Sequence, residues 1–158
     1  MARSTQTLTL MVDNEFGVLT RITALVRREG WNIKSLAVAE TENPAVSSLT
    51  LSVECVASTF AHVTARLGRL ACVRALSVYT PATHTGRELL LARVACDAAA
   101  LAQAAQRLGA RMLPGGVLEA AGAPGEIDAL LTELRALGPV DAARSGIVTL
   151  ENTEGDAQ

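Results

Sequence analysis

Apolar residues in the first 80 positions follow two different periods in turn, and the order of those periods is the strongest constraint on the fold. Leu8, Leu10 and Val12 alternate with polar neighbours at period two, as a half-buried strand requires. Asp13-Asn14-Glu15-Phe16-Gly17 is a polar turn. Val18, Leu19, Ile22, Leu25 and Val26 then recur at helical spacing up to Gly30, which is placed as a C-terminal stop. Asn32 to Ala39 returns to a strand pattern, and Leu49, Leu51 and Val53 alternate with Thr50 and Ser52. Phe60, Val63 and Leu67 mark a second helix face, and Val73 to Tyr79 a closing strand. The order strand-helix-strand-strand-helix-strand over residues 5–80 predicts a split βαβ, ferredoxin-like domain. Such a domain is a four-stranded antiparallel sheet with two helices on one face.

The second half repeats the order. Pro81-Ala82-Thr83-His84-Thr85-Gly86 reads as a linker over residues 81–86. Leu89 to Val94 is a strand, Ala98 to Leu108 a helix, and Pro114-Gly115-Gly116 a hairpin turn between Arg111-Met112-Leu113 and Val117-Leu118-Glu119-Ala120. Ile127, Leu130, Leu131, Leu134 and Leu137 form an apolar helix face. Val140 to Ala142 and Ile147 to Leu150 supply an interrupted last strand, and Glu151 to Gln158 a polar, frayed end. Alanine carries no weight in this reading, because 13 of the 14 basic residues are Arg, a bias that genome base composition can produce together with Ala. The expected fold class is α+β, with two tandem ferredoxin-like (βαββαβ) domains at 5–80 and 87–151.

Composition excludes several function classes. A net charge of -2 gives no footprint for nucleic acid or an acidic membrane surface. No apolar run approaches a membrane span, and Met1 to Thr5 lacks the apolar core of a signal peptide. Cys55, Cys72 and Cys96 form no paired framework, which points to buried thiols in a reducing cytoplasm. His62 falls on the second helix and His84 in the linker, each a surface or partly buried side chain without ligand spacing to Cys or carboxylates. No metal site and no catalytic residue is expected. No nucleophile elbow or Cys–His pair is present, and Gly115-Gly116, Gly122 and Gly125 match no phosphate-loop spacing.

The informative segment is Val12 to Arg21, which runs from a strand end through a glycine turn into a helix start. The first N–H groups of a helix lack internal partners and carry partial positive charge, so a carboxylate suits this point. Gly17 lets a ligand approach the main chain. Asn14 offers donor and acceptor to a zwitterionic amino acid, and Asn32 a second amide. Val18, Leu19 and Ile33 offer an apolar wall. Asn14 and Gly17 equally suit a simple turn and cap, and the pattern alone does not separate the two readings.

Residues 13–21 (Asp-Asn-Glu-Phe-Gly-Val-Leu-Thr-Arg), 28–36 (Arg-Glu-Gly-Trp-Asn-Ile-Lys-Ser-Leu) and 41–44 (Thr-Glu-Asn-Pro) resemble the regulatory, or small, subunits of acetolactate synthase. Residues 86–94 and Ala143-Arg-Ser-Gly-Ile147 resemble the second domain of that family. The resemblance implies an N-terminal ACT domain that forms a homodimer and binds valine, or a related branched-chain amino acid, at its interface as a feedback inhibitor. It implies Asn14, Gly17, Val18, Leu19, Asn32 and Ile33 as effector-binding residues, with Thr20 and Ala39 close by. It also implies a partner, the catalytic subunit, which carries thiamine diphosphate, Mg²⁺ and FAD; none of these cofactors is expected in this chain. The sequence departs from the family at Glu40, often Pro there, and at Ser48, often Arg; the stretch from Arg107 to Gly125 is short and glycine-rich. Arg144 suits either a partner contact or a turn between strand segments.

Three rival functions remain for such a chain. A free-standing ACT sensor would regulate a different enzyme. A transcription regulator would need a helix-turn-helix segment and a basic patch, and neither is present. An enzyme on this much-used scaffold would need an acid-base or nucleophile constellation.

Overall fold

The structure, a computed structural model, describes residues 3–152; most of the expected frayed end, residues 153–158, lies outside the described residues. The described residues divide into two units, one containing those up to Thr85 together with residues 149–152, the other Gly86–Val148.

The first unit contains β1 (Arg3–Asp13), α1 (Val18–Arg28), β2 (Asn32–Glu40), β3 (Val46–Val56), α2 (Ala57–Leu67) and β4 (Val73–Val78). Its antiparallel sheet has the order β2-β3-β1-β4, so β2 is an edge strand. The register sets Leu8 against Leu51 and Leu10 against Leu49. These residues, with Val12 and Val53, are buried beneath Val18, Ile22, Leu25 and Val26 of α1 and Val63 and Leu67 of α2. Full burial of each such side chain contributes about 1.5–3 kcal/mol. Trp31 stacks on Phe60 with ring centroids 5.7 Å apart, closing the core at the turn after α1. The intervening positions face away from the helices and are mostly small hydroxyls. Thr7 bonds Ser52 at 2.8 Å, and Thr9 and Thr50 both bond Thr149, at 2.6 and 3.1 Å. The period-two pattern therefore separates an apolar face from a hydroxyl face.

The second unit repeats the topology with β5 (His84–Val94, in this unit from Gly86), α3 (Ala98–Arg107), β6 (Arg111–Leu113), β7 (Val117–Gly122), α4 (Pro124–Leu137) and β8 (Val140–Arg144) in the order β6-β7-β5-β8; β9 (Val148–Glu151), in the first unit from Thr149 on, pairs β5. Its core joins Leu90, Ala92, Leu118, Leu101, Ile127, Leu131 and Leu134. Asp97 caps α3, accepting from the N–H of Ala99 at 3.0 Å. The Glu126 carboxylate accepts from the Ala123 N–H at 2.6 Å at the start of α4. The hairpin turn falls on Pro114-Gly115-Gly116, with Leu113 opposite Val117 and both glycines at positive φ.

Three expectations change. β5 begins at His84, inside the stretch read as linker, so only Pro81–Thr83 turn the chain. His84 is buried, its ring nitrogens bonded to Ser77 at 3.0 Å and Thr83 at 2.8 Å, because it continues the inward face of β5. Cys55 and Cys72 are buried as expected, but Cys96 is partly exposed.

Candidate functional site

The β1–α1 turn opens a cavity of about 80 Å³ lined by Val12, Asp13, Asn14, Glu15, Val18, Leu19, Val38, Ser47 and Leu49. Backbone bonds hold its rim: the Asp13 N–H reaches the Cys72 carbonyl at 2.9 Å, and the Asn14 N–H the Ala45 carbonyl at 3.0 Å. Gly17 occupies the N-cap of α1 at φ 82°, ψ -4°, a left-handed conformation that favours glycine. A side chain added there would meet nothing within 4 Å.

Gly17 supplies no side-chain cap. The Val18 N–H makes a long 3.4 Å bond to Glu15, and the N–H groups of Leu19 and Thr20 have no protein acceptor among the described residues. The first turn of α1 carries no acidic residue. Two free donors and the positive helix end therefore remain for an anion beside an apolar wall. Asp13 is neutralised by Arg74 at 2.6 Å.

Asn14, Val18 and Leu19 of the expected set line this cavity, and Gly17 sits in the same turn. Asn32 and Ile33 do not line it: they begin β2, six and five residues from Val38, or about 17–20 Å along an extended strand. Lys34, in that same stretch, bonds Glu54 at 3.1 Å and is the main reason that carboxyl is held below its ordinary value; Asn32 adds to the effect. Asn14 also differs from expectation, since both hydrogens of its amide are engaged, by Glu40 Oε1 at 3.0 Å and the Pro44 carbonyl at 2.9 Å. It can accept from a ligand but not donate. Sequence reasoning passed over Val38 and Ser47. The signal was available, because Ser47 takes an inward position in the series Ser47, Leu49, Leu51, Val53, where a packed strand would place an apolar side chain.

Arg144 ends β8 and grips Glu88 with Nε and Nη2 at 2.6 and 2.7 Å, while Nη1 reaches Asp128 at 2.7 Å. The paired carboxylates raise the guanidinium pKa further above its ordinary value. Its donors serve the second unit internally, and Ser145 continues the lock, its Oγ accepting from the Leu89 N–H at 3.0 Å. Among the described residues, no group of three or more His, Cys, Asp or Glu could hold a metal, and no helix is long and apolar enough to cross a membrane.

Two split-βαβ units in tandem, the first with a glycine-led and uncapped helix start, define a two-domain chain whose leading unit is of the ACT type. Residues 8–75 match the AHAS small subunit-like ACT domain, and residues 87–153 match the model described as small subunit of acetolactate synthase. The chain belongs to the acetolactate synthase small-subunit family. It is 32% identical over 153 residues to the acetolactate synthase small subunit of Mycolicibacterium smegmatis, which covers 92% of this chain and 90% of the relative. It is 28% identical over 153 residues to the acetolactate synthase isozyme 3 small subunit of Escherichia coli, with 90% and 93% covered. The crystal structure of the small subunit from Thermotoga maritima has the same fold, with a TM-score of 0.82 at 24% identity and coverage of 96% and 99%.

Proposed function

We propose that this chain is the regulatory subunit of a cytoplasmic acetolactate synthase, activating the catalytic subunit and making it sensitive to valine or a related branched-chain amino acid. The observation that carries the effector site is the uncapped start of α1 above an apolar-walled cavity. A ligand carboxylate takes the free N–H groups of Leu19 and Thr20, its ammonium the carbonyl of Asn14, and its aliphatic side chain the wall of Val12, Val18, Val38 and Leu49.

A homodimer explains Asn32 and Ile33. β2 is a free edge with Val38 about half exposed, and exposed edges favour pairing. Antiparallel pairing of two β2 strands about a two-fold axis near Leu36 brings the Asn32–Ile33 end of one protomer to the Val38–Glu40 end of the other. The far end of one β2 then completes the cavity of the second copy. A ligand touching both protomers favours that geometry, and linkage passes the preference to the catalytic chain with a coupling of about 1–3 kcal/mol. Catalysis, with its thiamine diphosphate, Mg²⁺ and FAD, belongs to the partner.

The test is the initial rate of acetolactate formation from pyruvate by the catalytic subunit alone, with this chain, and with this chain plus valine. A rise on adding the chain and a fall on adding valine is the expected result. An unchanged rate in all three conditions overturns the proposal.

A further inference from the structure

We propose that Glu40 is a positioning residue that sets the chemical polarity of the cavity, so that it takes an amino acid and rejects the 2-oxo acid of the same carbon skeleton. This rests on the effector reading above and names the feature of the ligand that the site selects. The Asn14 amide has two N–H groups, and both are occupied, by the Glu40 carboxylate at 3.0 Å and the Pro44 carbonyl at 2.9 Å. Turning that amide over would bring its oxygen against two other acceptors, so the orientation is enforced. Oδ1 is left as the atom Asn14 offers to a ligand, and it only accepts.

Glu40 does not line the cavity itself but stands at its edge, bonded to the lining residue Asn14 and opposite the lining residue Ser47. It pairs with Ser47 as Val38 pairs with Leu49, so Val38 and Glu40 share the face of β2 on which the cavity opens. Glu40 forms no ion pair among the described residues, whereas Asp13 is matched by Arg74. Glu40 therefore leaves negative charge beside Asn14 that no cation offsets within the protomer, while the free N–H groups of Leu19 and Thr20 supply the positive side. An α-ammonium meets an acceptor and an attractive charge there. A 2-oxo group brings a second acceptor to the same place, unpaired against Asn14 Oδ1 and close to a carboxylate.

The test is isothermal titration of the full-length chain with valine and with 3-methyl-2-oxobutanoate, in the wild type and in Glu40→Gln, Glu40→Ala and Glu42→Gln. The wild type should bind valine at least about 10-fold more tightly than the oxo acid, the ratio expected for one charge-assisted hydrogen bond. Glu40→Ala frees the Asn14 amide, and the ratio should fall about 5- to 10-fold. Glu40→Gln keeps an acceptor for Asn14 without the charge and should lie between the two. Glu42→Gln makes the same change in net charge without touching Asn14, and should keep the wild-type ratio within about 2-fold. A purely structural role would weaken both ligands together and leave the ratio unmoved. Valine binding with an unchanged ratio in Glu40→Ala overturns the role of Glu40 alone. A wild-type chain that binds no aliphatic amino acid overturns the effector site and this inference with it.

Discussion

Replacing Gly17 by Asp tests the proposed effector site where its main-chain donors lie. The new side chain starts from a position with nothing within 4 Å, at the N-cap of α1 and next to the free N–H groups of Leu19 and Thr20. Its carboxylate takes the donors that a ligand carboxylate requires, and hydrogen bonds to charged groups contribute about 1.5–3 kcal/mol each. Two carboxylates about 5 Å apart at an effective dielectric near 20 add roughly 3 kcal/mol of repulsion, about half that in a cavity open to water. The sum exceeds about 3 kcal/mol, more than a 100-fold loss of affinity. Stability falls by only about 1 kcal/mol, since the left-handed backbone costs Asp about that much and a negative charge at the helix start offsets part of it. Gly17→Ala is the control: it carries the backbone cost without the charge and should keep valine inhibition within about 5-fold. The assay is acetolactate formation against valine concentration, paired with urea unfolding of each variant. Gly17→Asp should remain folded and activating but lose valine inhibition; a valine response within about 3-fold of wild type would refute the site.

The other predictions concern the second unit, the thiols and the free edge. Arg144→Met leaves the Glu88 carboxylate buried and unpaired, which for an enclosed pair costs 3–5 kcal/mol; because Arg144 itself is 35% exposed, about 2–3 kcal/mol is expected in urea unfolding. Asp128→Asn, at the exposed end of the same network, should cost no more than about 1 kcal/mol, and equal losses in the two variants would refute the inner pair as the lock. Burial pushes the Cys55 thiol pKa up, so iodoacetamide at pH 8 should label Cys96 first and spare Cys55 until the chain is denatured; peptide mapping that finds equal labelling in the native protein would refute the packing. Val38→Glu puts a charge on the free edge and should shift the chain from dimer to monomer in sedimentation, with unfolding changed by less than about 1 kcal/mol; an undiminished dimer would refute pairing through β2.

Most of the fold was legible because each element of the first unit keeps a clean period. Leu8, Leu10 and Val12, or Leu49, Leu51 and Val53, can bury one face only as strands, and the spacing of Val18, Ile22, Leu25 and Val26 only as a helix. The errors lie where one residue serves two roles. His84 and Glu88 are polar at inward positions of β5, so the strand is hidden before Leu90 and its opening reads as linker. The partners of His84, Ser77 and Thr83, lie just upstream, and that of Glu88, Arg144, lies 56 residues on; none belongs to an apolar period that would announce it.

The cavity at the start of α1 was legible only in its local half, through Asn14, Val18 and Leu19. Asn14, Gly17, Val18 and Leu19 are consecutive or nearly so, and a helix start advertises its free N–H groups in any sequence that withholds a capping side chain. What sequence could not assign is which half of the Asn14 amide remains for a ligand. That depends on Glu40 and Pro44, 26 and 30 residues away, which β2 and its turn bring to the same rim. The Asn14 amide is thereby left as an acceptor, so under the proposed reading a ligand carboxylate falls to the main-chain N–H groups. Under that reading recognition divides accordingly: the helix start takes what every amino acid and oxo acid shares, and the Asn14–Glu40 pair reads the group in which they differ.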